Sequence, residues 1–379
     1  MMKNLFIKLK IANDLSKITL KYLTNSHNNL LNKKLENIKI DEIIEYDPKI
    51  MVNIKKILDK NKIFEICANY GRLNNMKWLF KNKYPYYEST LAYAAKNGNL
   101  ENMKWLARQH FFPRSPWVFY NASENGNLEN MKWLLENKFP YNESVFASAA
   151  KNGNLENMKW LLKNKFPCNI LTLIYAVENG NLENMEWLLK NEFPYNSGLF
   201  YFAAKKGDLK IMEWMLNKKF PYNGTAFAGA ATNGNLENMK WLLANKFPYD
   251  IWTFAHAAEN GNLKNMEWLL ENKFPYDEQT FSLAAKNGNL ENMKWLLAKG
   301  FPYNESTFES AASNGNLENM KWLLKNRFPY NKYTLKKAIE NGNIENIKWL
   351  LENKFPYDSC DKRELIENEL LCENIKKKL

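Results

Sequence analysis

One glycine recurs along this chain at a fixed interval: Gly71, Gly98, Gly126, Gly153, Gly180, Gly207, Gly234, Gly261, Gly288, Gly315 and Gly342. Each step is 27 residues, except one of 28 between Gly98 and Gly126. Eleven of the 13 Trp stand seven residues after these glycines, from Trp78 to Trp349, and eleven of the 13 Pro close the same units, from Pro85 to Pro356. A single globular core gives no reason for such a period. A linear array does, because each short unit buries its apolar face only by stacking on its neighbours. The extra residue of the 28-residue step lies between Trp105 and Phe112, since the motif is in register on both sides.

The period overrides what length alone suggests, which for 379 residues would be two or three domains. A hydrophobic content of 45% with 14% aromatics excludes a disordered chain. No apolar run approaches the ~18 residues of a membrane helix. The opening "MMKNLFIKLKIAND" breaks its apolar run with Lys8 and Lys10, a poor signal peptide. Cys67, Cys168, Cys360 and Cys372 have no paired spacing, so a reducing, cytoplasmic compartment is expected.

Asn142, after Phe139-Pro140-Tyr141, reads as the N-cap of a first helix ending near Lys151. Equivalent positions hold Ser115, Asn169, Asn196, Asn223, Asp250, Asp277, Asn304, Asn331 and Asp358; Tyr87 is the exception, with Ser89 nearby as replacement. Gly153 stops the helix in the left-handed conformation, and Asn154 caps a second helix, "LENMKWLLKNK", which Phe166-Pro167 ends. A helical wheel puts Leu155, Met158, Leu161 and Leu162 on its apolar side, with Asn157 and Trp160 on a flank facing the next unit. The Trp series is therefore expected to be a packing ladder between units.

The run "STFESAASNGNLENMKWLLKNRFPYN", Ser306 to Asn331, resembles an ankyrin repeat. "STFESAA" stands where that family has Thr-Pro-Leu-His-x-Ala-Ala, and "NGNLENMKWLL" where it has Asn-Gly-His-Leu-Glu-Val-Val-Lys-x-Leu-Leu. The unit is shorter than the family's by the segment that forms the projecting β-hairpin. This short, Trp-bearing form resembles ankyrin-like arrays of amoeba-infecting giant DNA viruses and some protists. The resemblance implies an all-α fold, an ankyrin-like α-solenoid of about eleven helix-turn-helix repeats without long β-hairpins. It also implies a protein-interaction scaffold that uses no cofactor. The family's hairpin-tip contacts do not carry over.

Residues 61–357 are read as the array, 1–60 as an N-terminal helical capping segment and 358–379 as a closing helix. The alternative for the first segment is a small recruitment module of the F-box kind, joining the chain to a degradation or signalling complex.

Comparing the copies with one another separates fixed from variable positions. Relative to each glycine, positions −7, −4 and −3 hold Phe and Ala, whereas −9, −6, −5 and −2 vary on the opposite side of the first helix. Several units place large groups there: Tyr93; Trp117 and Tyr120; Leu171, Ile174 and Tyr175; Tyr201 and Phe202; Trp252 and His256. Two readings are open. These side chains form a protein-binding face, or they lie down on neighbouring helices in place of the missing hairpin.

The net charge of +12 invites a nucleic-acid reading, but residues 1–62 supply half of it, with 13 Lys against 7 acids. Lys makes up 48 of the 53 basic residues, where phosphate readout favours Arg. The expectation is a monomer with an unidentified protein partner, and neither nucleic acid nor membrane. A structural or assembly protein with no discrete partner is the competing class. His27, His110 and His256 stand far apart, no phosphate loop or metal-ligand spacing occurs, and no catalytic residue is assigned.

Overall fold

The computed structural model describes residues 63–87, 89–109 and 114–358. The expected caps, 1–60 and 358–379, lie outside the described residues apart from Asp358. Among the described residues there are 22 α-helices and no strand, in two compact units that meet between Thr172 and Leu173.

The first unit contains α1 (Ile63–Asn69), α2 (Leu73–Lys81), α3 (Ser89–Asn97), α4 (Leu100–Arg108), α5 (Pro116–Asn125), α6 (Leu128–Glu136), α7 (Ser144–Asn152) and α8 (Leu155–Lys163). Odd-numbered helices are the first helices of their repeats and stack side by side in chain order; each even-numbered helix packs on its own partner. Helix α9 (Leu171–Asn179) begins at the division, and α10 (Leu182–Lys190) follows it. The second unit continues with α11 (Leu199–Lys206), α12 (Leu209–Asn217), α13 (Thr225–Asn233), α14 (Leu236–Ala244), α15 (Ile251–Asn260) and α16 (Leu263–Glu271). It ends with α17 (Glu278–Asn287), α18 (Leu290–Ala298), α19 (Glu305–Asn314), α20 (Leu317–Lys325), α21 (Lys332–Asn341) and α22 (Ile344–Glu352). Here too, from α11 to α21, the odd helices stack in order with the even ones behind them. Each unit is a short helical solenoid.

The caps follow from side-chain chemistry. Ser115, Asp250, Asp277, Asn304 and Asn331 cap their helices, each accepting the N–H two residues on. Asn142 Oδ1 accepts from the Ser144 N–H at 3.1 Å in the same way, but α7 opens one residue later than expected, with Glu143 at its N-cap position. At the exceptional Tyr87, the Thr90 hydroxyl rather than Ser89 accepts from the backbone, at 3.3 Å. Asn154 Oδ1 accepts from the N–H groups of Glu156 and Asn157 at 3.0 and 3.4 Å, supplying two of the four unpaired donors that open α8.

The second helices end differently from the sequence expectation. Helix α8 stops at Lys163, before Phe166-Pro167, and Lys165 turns left-handed with φ 58°. Its N–H donates to the Leu162 carbonyl and that of Phe166 to the Leu161 carbonyl, a Schellman pair that satisfies the last carbonyls. The same turn recurs with Lys83, Lys138, Glu192, Lys219, Lys246, Lys273, Arg327 and Lys354, all at positive φ; among the described residues only the repeat of α18 uses a glycine, Gly300.

The core also differs from the expected Trp ladder. Each Trp of the periodic series is half-buried; Trp105 meets Phe80 of the repeat before, and the others lean on the aromatic of their own turn, as Trp268 does on Phe274 with centroids 5.6 Å apart. The ladder between repeats is built from Phe and Tyr instead. Phe227 on α13, Tyr249 in the following turn and Phe274 one repeat later are mutually packed, with centroids 5.6, 4.1 and 5.2 Å apart. Phe254, Tyr276 and Phe301 repeat this, as do Phe281, Tyr303 and Phe328, and, in the first unit, Phe119, Tyr141 and Phe166. On the second helices Met158 and Leu161 are buried as expected, but Leu162 points to solvent.

A polar seam runs beside the aromatic one. Asn157 is buried and donates from Nδ2 to the Gly126 carbonyl at 2.7 Å, and Asn265, Asn292, Asn319 and Asn346 each reach back to a glycine in the same way. Gly126, at φ 86°, has a second reason to lack a side chain: a Cβ there would stand 2.6 Å from Oδ1 of Asn152 in the next repeat.

Candidate interaction surface

Of the variable positions, −9 lies on the side of the first helix away from its buried Phe/Ala stripe, whereas −6 is itself buried at Ala92, Ala147, Ile174, Ala228, Ala255 and Ser282. Helix geometry dictates this: −7, −4 and −3 form one stripe, −9 and −5 stand opposite it, and −6 lies at its edge. In the first unit Trp117 is 64% exposed and Tyr93 38%. Tyr120 is half-buried and meets Trp117 edge-on, centroids 5.4 Å apart. In the second unit Trp252 is 46% exposed, with His256 one turn on and 6.1 Å away. Tyr175, Tyr201 and Phe202 are half-buried, and Tyr201 and Phe202 pack edge to face at 5.2 Å. Lys205 Nζ sits 5.7 Å from the Tyr201 ring centroid.

Ile174 is the correction within this set. It is only 8% exposed, so it belongs with the packed side chains of α9. Position −6 lies closer to the stacking side of the helix than −9 does and is buried for small residues as well, as at Ala147 and Ser282. One residue was missed. Tyr333, at position −9 of α21, is 48% exposed, more than Trp252. The register that singles out Trp117 and Trp252 also singles out Tyr333, so the signal was present in the sequence.

Polar groups on this side form small networks. Glu259 accepts from Lys286 Nζ of the next first helix at 2.9 Å and lies 3.2 Å from His256 Nδ1. Partial burial works to raise its carboxyl, but the hydrogen bonds and charges of Lys286 and His256 prevail and hold it below the usual carboxylate range. Burial pushes the Cys67 thiol up to about 12, partly opposed by Arg72, and partial burial also raises the Cys168 thiol. Neither cysteine carries the lowered pKa of a reactive thiol.

Residues 119–198 and 281–362 match the family model for ankyrin repeats, in 3 copies. No curated protein matches the sequence. Among solved structures, the chain is similar to the pentatricopeptide repeat protein PPR10 from maize, at 9% identity and a TM-score of 0.35, over 93% of this chain and 65% of that one. The chain therefore spans less than two thirds of that protein's crystallised length. It is also similar to PPR10 in complex with an 18-nt psaJ RNA element, at 10% identity and a TM-score of 0.28, over 93% of this chain and 70% of that one. This corrects one expectation. An RNA-bound helical repeat protein stands among the similar structures, so the exclusion of nucleic acid drawn from charge and Lys content is withdrawn. Among the described residues no helix is long and apolar enough to cross a membrane.

Proposed function

We propose that the chain is a non-enzymatic protein-interaction scaffold whose partner meets the variable side of the first helices. The reading starts from the ankyrin repeats matched over residues 119–198 and 281–362, a repeat class that acts through such surfaces. The observation that carries it is the exposure of Trp117 and Trp252. They are the 2 of 13 Trp that stand outside the periodic position, one in each unit, and both project from −9 into solvent. The part of an indole left in water adds nothing to the fold, whereas at a protein interface a Trp is a preferred anchor. Tyr93, Tyr120, Tyr175, Tyr201, Phe202 and His256 are the half-exposed residues that would surround these anchors.

Quantitative affinity capture tests this, with wild-type, Trp117→Ser, Trp252→Ser and double-variant chains as baits in parallel. The expected result is a discrete partner whose recovery falls at least about tenfold with the double variant, while thermal unfolding of the bait is unchanged. A lowered unfolding midpoint for the single variants would make these side chains packing residues. A partner retained fully by the double variant would place its site elsewhere.

A further inference from the structure

The last described first helix presents a surface unlike that of any first helix before it. Positions −10, −9, −6 and −5 of α21 hold Lys332, Tyr333, Lys336 and Lys337. The nine repeats from Gly98 to Gly315 place neither Lys nor Arg at any of these four positions, in a chain with 53 basic residues. The adjoining helix α19 carries the opposite sign there, with Glu305 at −10 and Glu309 at −6. The change from acidic to basic falls between two neighbouring helices.

The charges are only partly matched. Lys337 Nζ pairs with Glu340 at 2.7 Å, and Lys332 Nζ lies 3.7 Å from Asp358. Lys336 is exposed and has no ion pair among the described residues. Lys332 also stands 5.3 Å from the centroid of the Tyr333 ring, which is 48% exposed. Glu309 accepts from Asn331 Nδ2 at 2.8 Å and forms no ion pair with the lysines. Lys332 thus stands over an exposed phenol ring, with Lys336 and Lys337 one turn further along the same helix, a combination that attracts carboxylates and offers an apolar surface beside them.

We propose that α21 is a docking surface for an acidic segment of a partner protein, its carboxylates on Lys332, Lys336 and Lys337 and an apolar side chain against Tyr333. Glu305 and Glu309 bound the site, repelling acid on the α19 side, so the segment's charge must end there. The proposal takes from the preceding reading that first-helix surfaces receive partners. It uses none of the residues around Trp117 or Trp252, so the two fail separately.

The test is fluorescence anisotropy of a labelled deca-glutamate peptide with the full chain at about 0.15 M ionic strength, where long-range attraction is screened. Replacing Lys332, Lys336 and Lys337 together by Gln should weaken binding at least about tenfold. Replacing Lys246, Lys273 and Lys354 by Gln removes the same charge elsewhere and should change it less than about twofold. Trp252→Ser should leave it unmoved. The proposal is overturned if the wild-type chain does not bind the peptide, or if both triple variants weaken it equally. It is overturned in favour of nucleic acid if a labelled oligothymidylate of about 15 nucleotides binds more tightly and through the same three lysines.

Discussion

Replacing Phe274 by Ala would report directly on how the repeats are held together. Phe274 is fully buried between the Trp268 indole of its own repeat and the Phe227 and Tyr249 rings of the repeat before. A buried aromatic removes at least ~150 Å² from water, which at ~25 cal/mol/Å² is about 4 kcal/mol, and Ala retains roughly one of these. The cavity and the lost edge and stacked ring contacts restore the difference, so the expected cost is about 4 kcal/mol, within the ~3–5 kcal/mol range for Phe→Ala in cores. Trp268→Ala, at a half-buried site, should cost roughly half as much. Hydrogen exchange by mass spectrometry is the assay, because in a nearest-neighbour array the loss concentrates where the contacts were. Amides of α13–α16 should lose about 4 kcal/mol of opening free energy while those of α1–α6 keep theirs. If Phe274→Ala costs less than Trp268→Ala, the Phe/Tyr ladder is not the main tie between repeats. If protection falls equally along the chain, the nearest-neighbour reasoning is wrong.

Lys246 at φ 58° carries a Cβ where glycine would relieve strain, so Lys246→Gly should stabilise by about 1 kcal/mol and Gly300→Lys should cost about as much in chemical denaturation. Asn292 donates to the Gly261 carbonyl at 2.8 Å, whereas the buried side-chain amide of Asn238 makes no hydrogen bond within the described residues. Asn292→Ala should therefore cost about 1–3 kcal/mol and Asn238→Ala clearly less, and equal costs would remove the polar seam as an explanation. The lowered carboxyl of Glu259 binds its proton less readily folded than unfolded. Its contribution is therefore present above the ordinary carboxylate range and lost as the pH falls through it, a component of the acid-side stability slope that Glu259→Gln should abolish.

The repeat length, the two helices per unit, the glycine stop and nearly every N-cap were legible in the sequence, because each rests on local chemistry written within a few residues. Position on a helical wheel was legible as well, which is why the buried Asn157 and the exposed Trp117 were placed. What lies across from a side chain is not local. Trp160 on its flank could face a neighbouring repeat or its own turn, and the wheel does not distinguish them. Phe166-Pro167 read as a helix stop, and nothing nearby says that this ring also reaches Phe119, 47 residues earlier. The left-handed turn was hidden because Lys165 stands where the usual signal is glycine. Tyr333 and the lysines beside it are legible only in the register, because α21 lies outside the most aromatic stretch of the array.

The fit between Gly126 and Asn152 has a consequence for how such a chain changes its length. Most ties between neighbours join a residue to one about a period further on, glycine to asparagine and tyrosine to phenylalanine, while the Phe–Phe contacts reach nearly two periods. Any 27-residue stretch, wherever it is cut, therefore carries one complete set of knobs and one complete set of sockets. Copying such a stretch in place adds a link that already fits on both sides, with no new interface to be invented. Removing one closes the gap in the same way. A single-residue slip inside a helix, by contrast, would displace every tie downstream of it within that unit. Growth by whole links is thus nearly free of structural penalty, and the near-identity of "NGNLENMKWLL" from copy to copy is the trace such growth would leave.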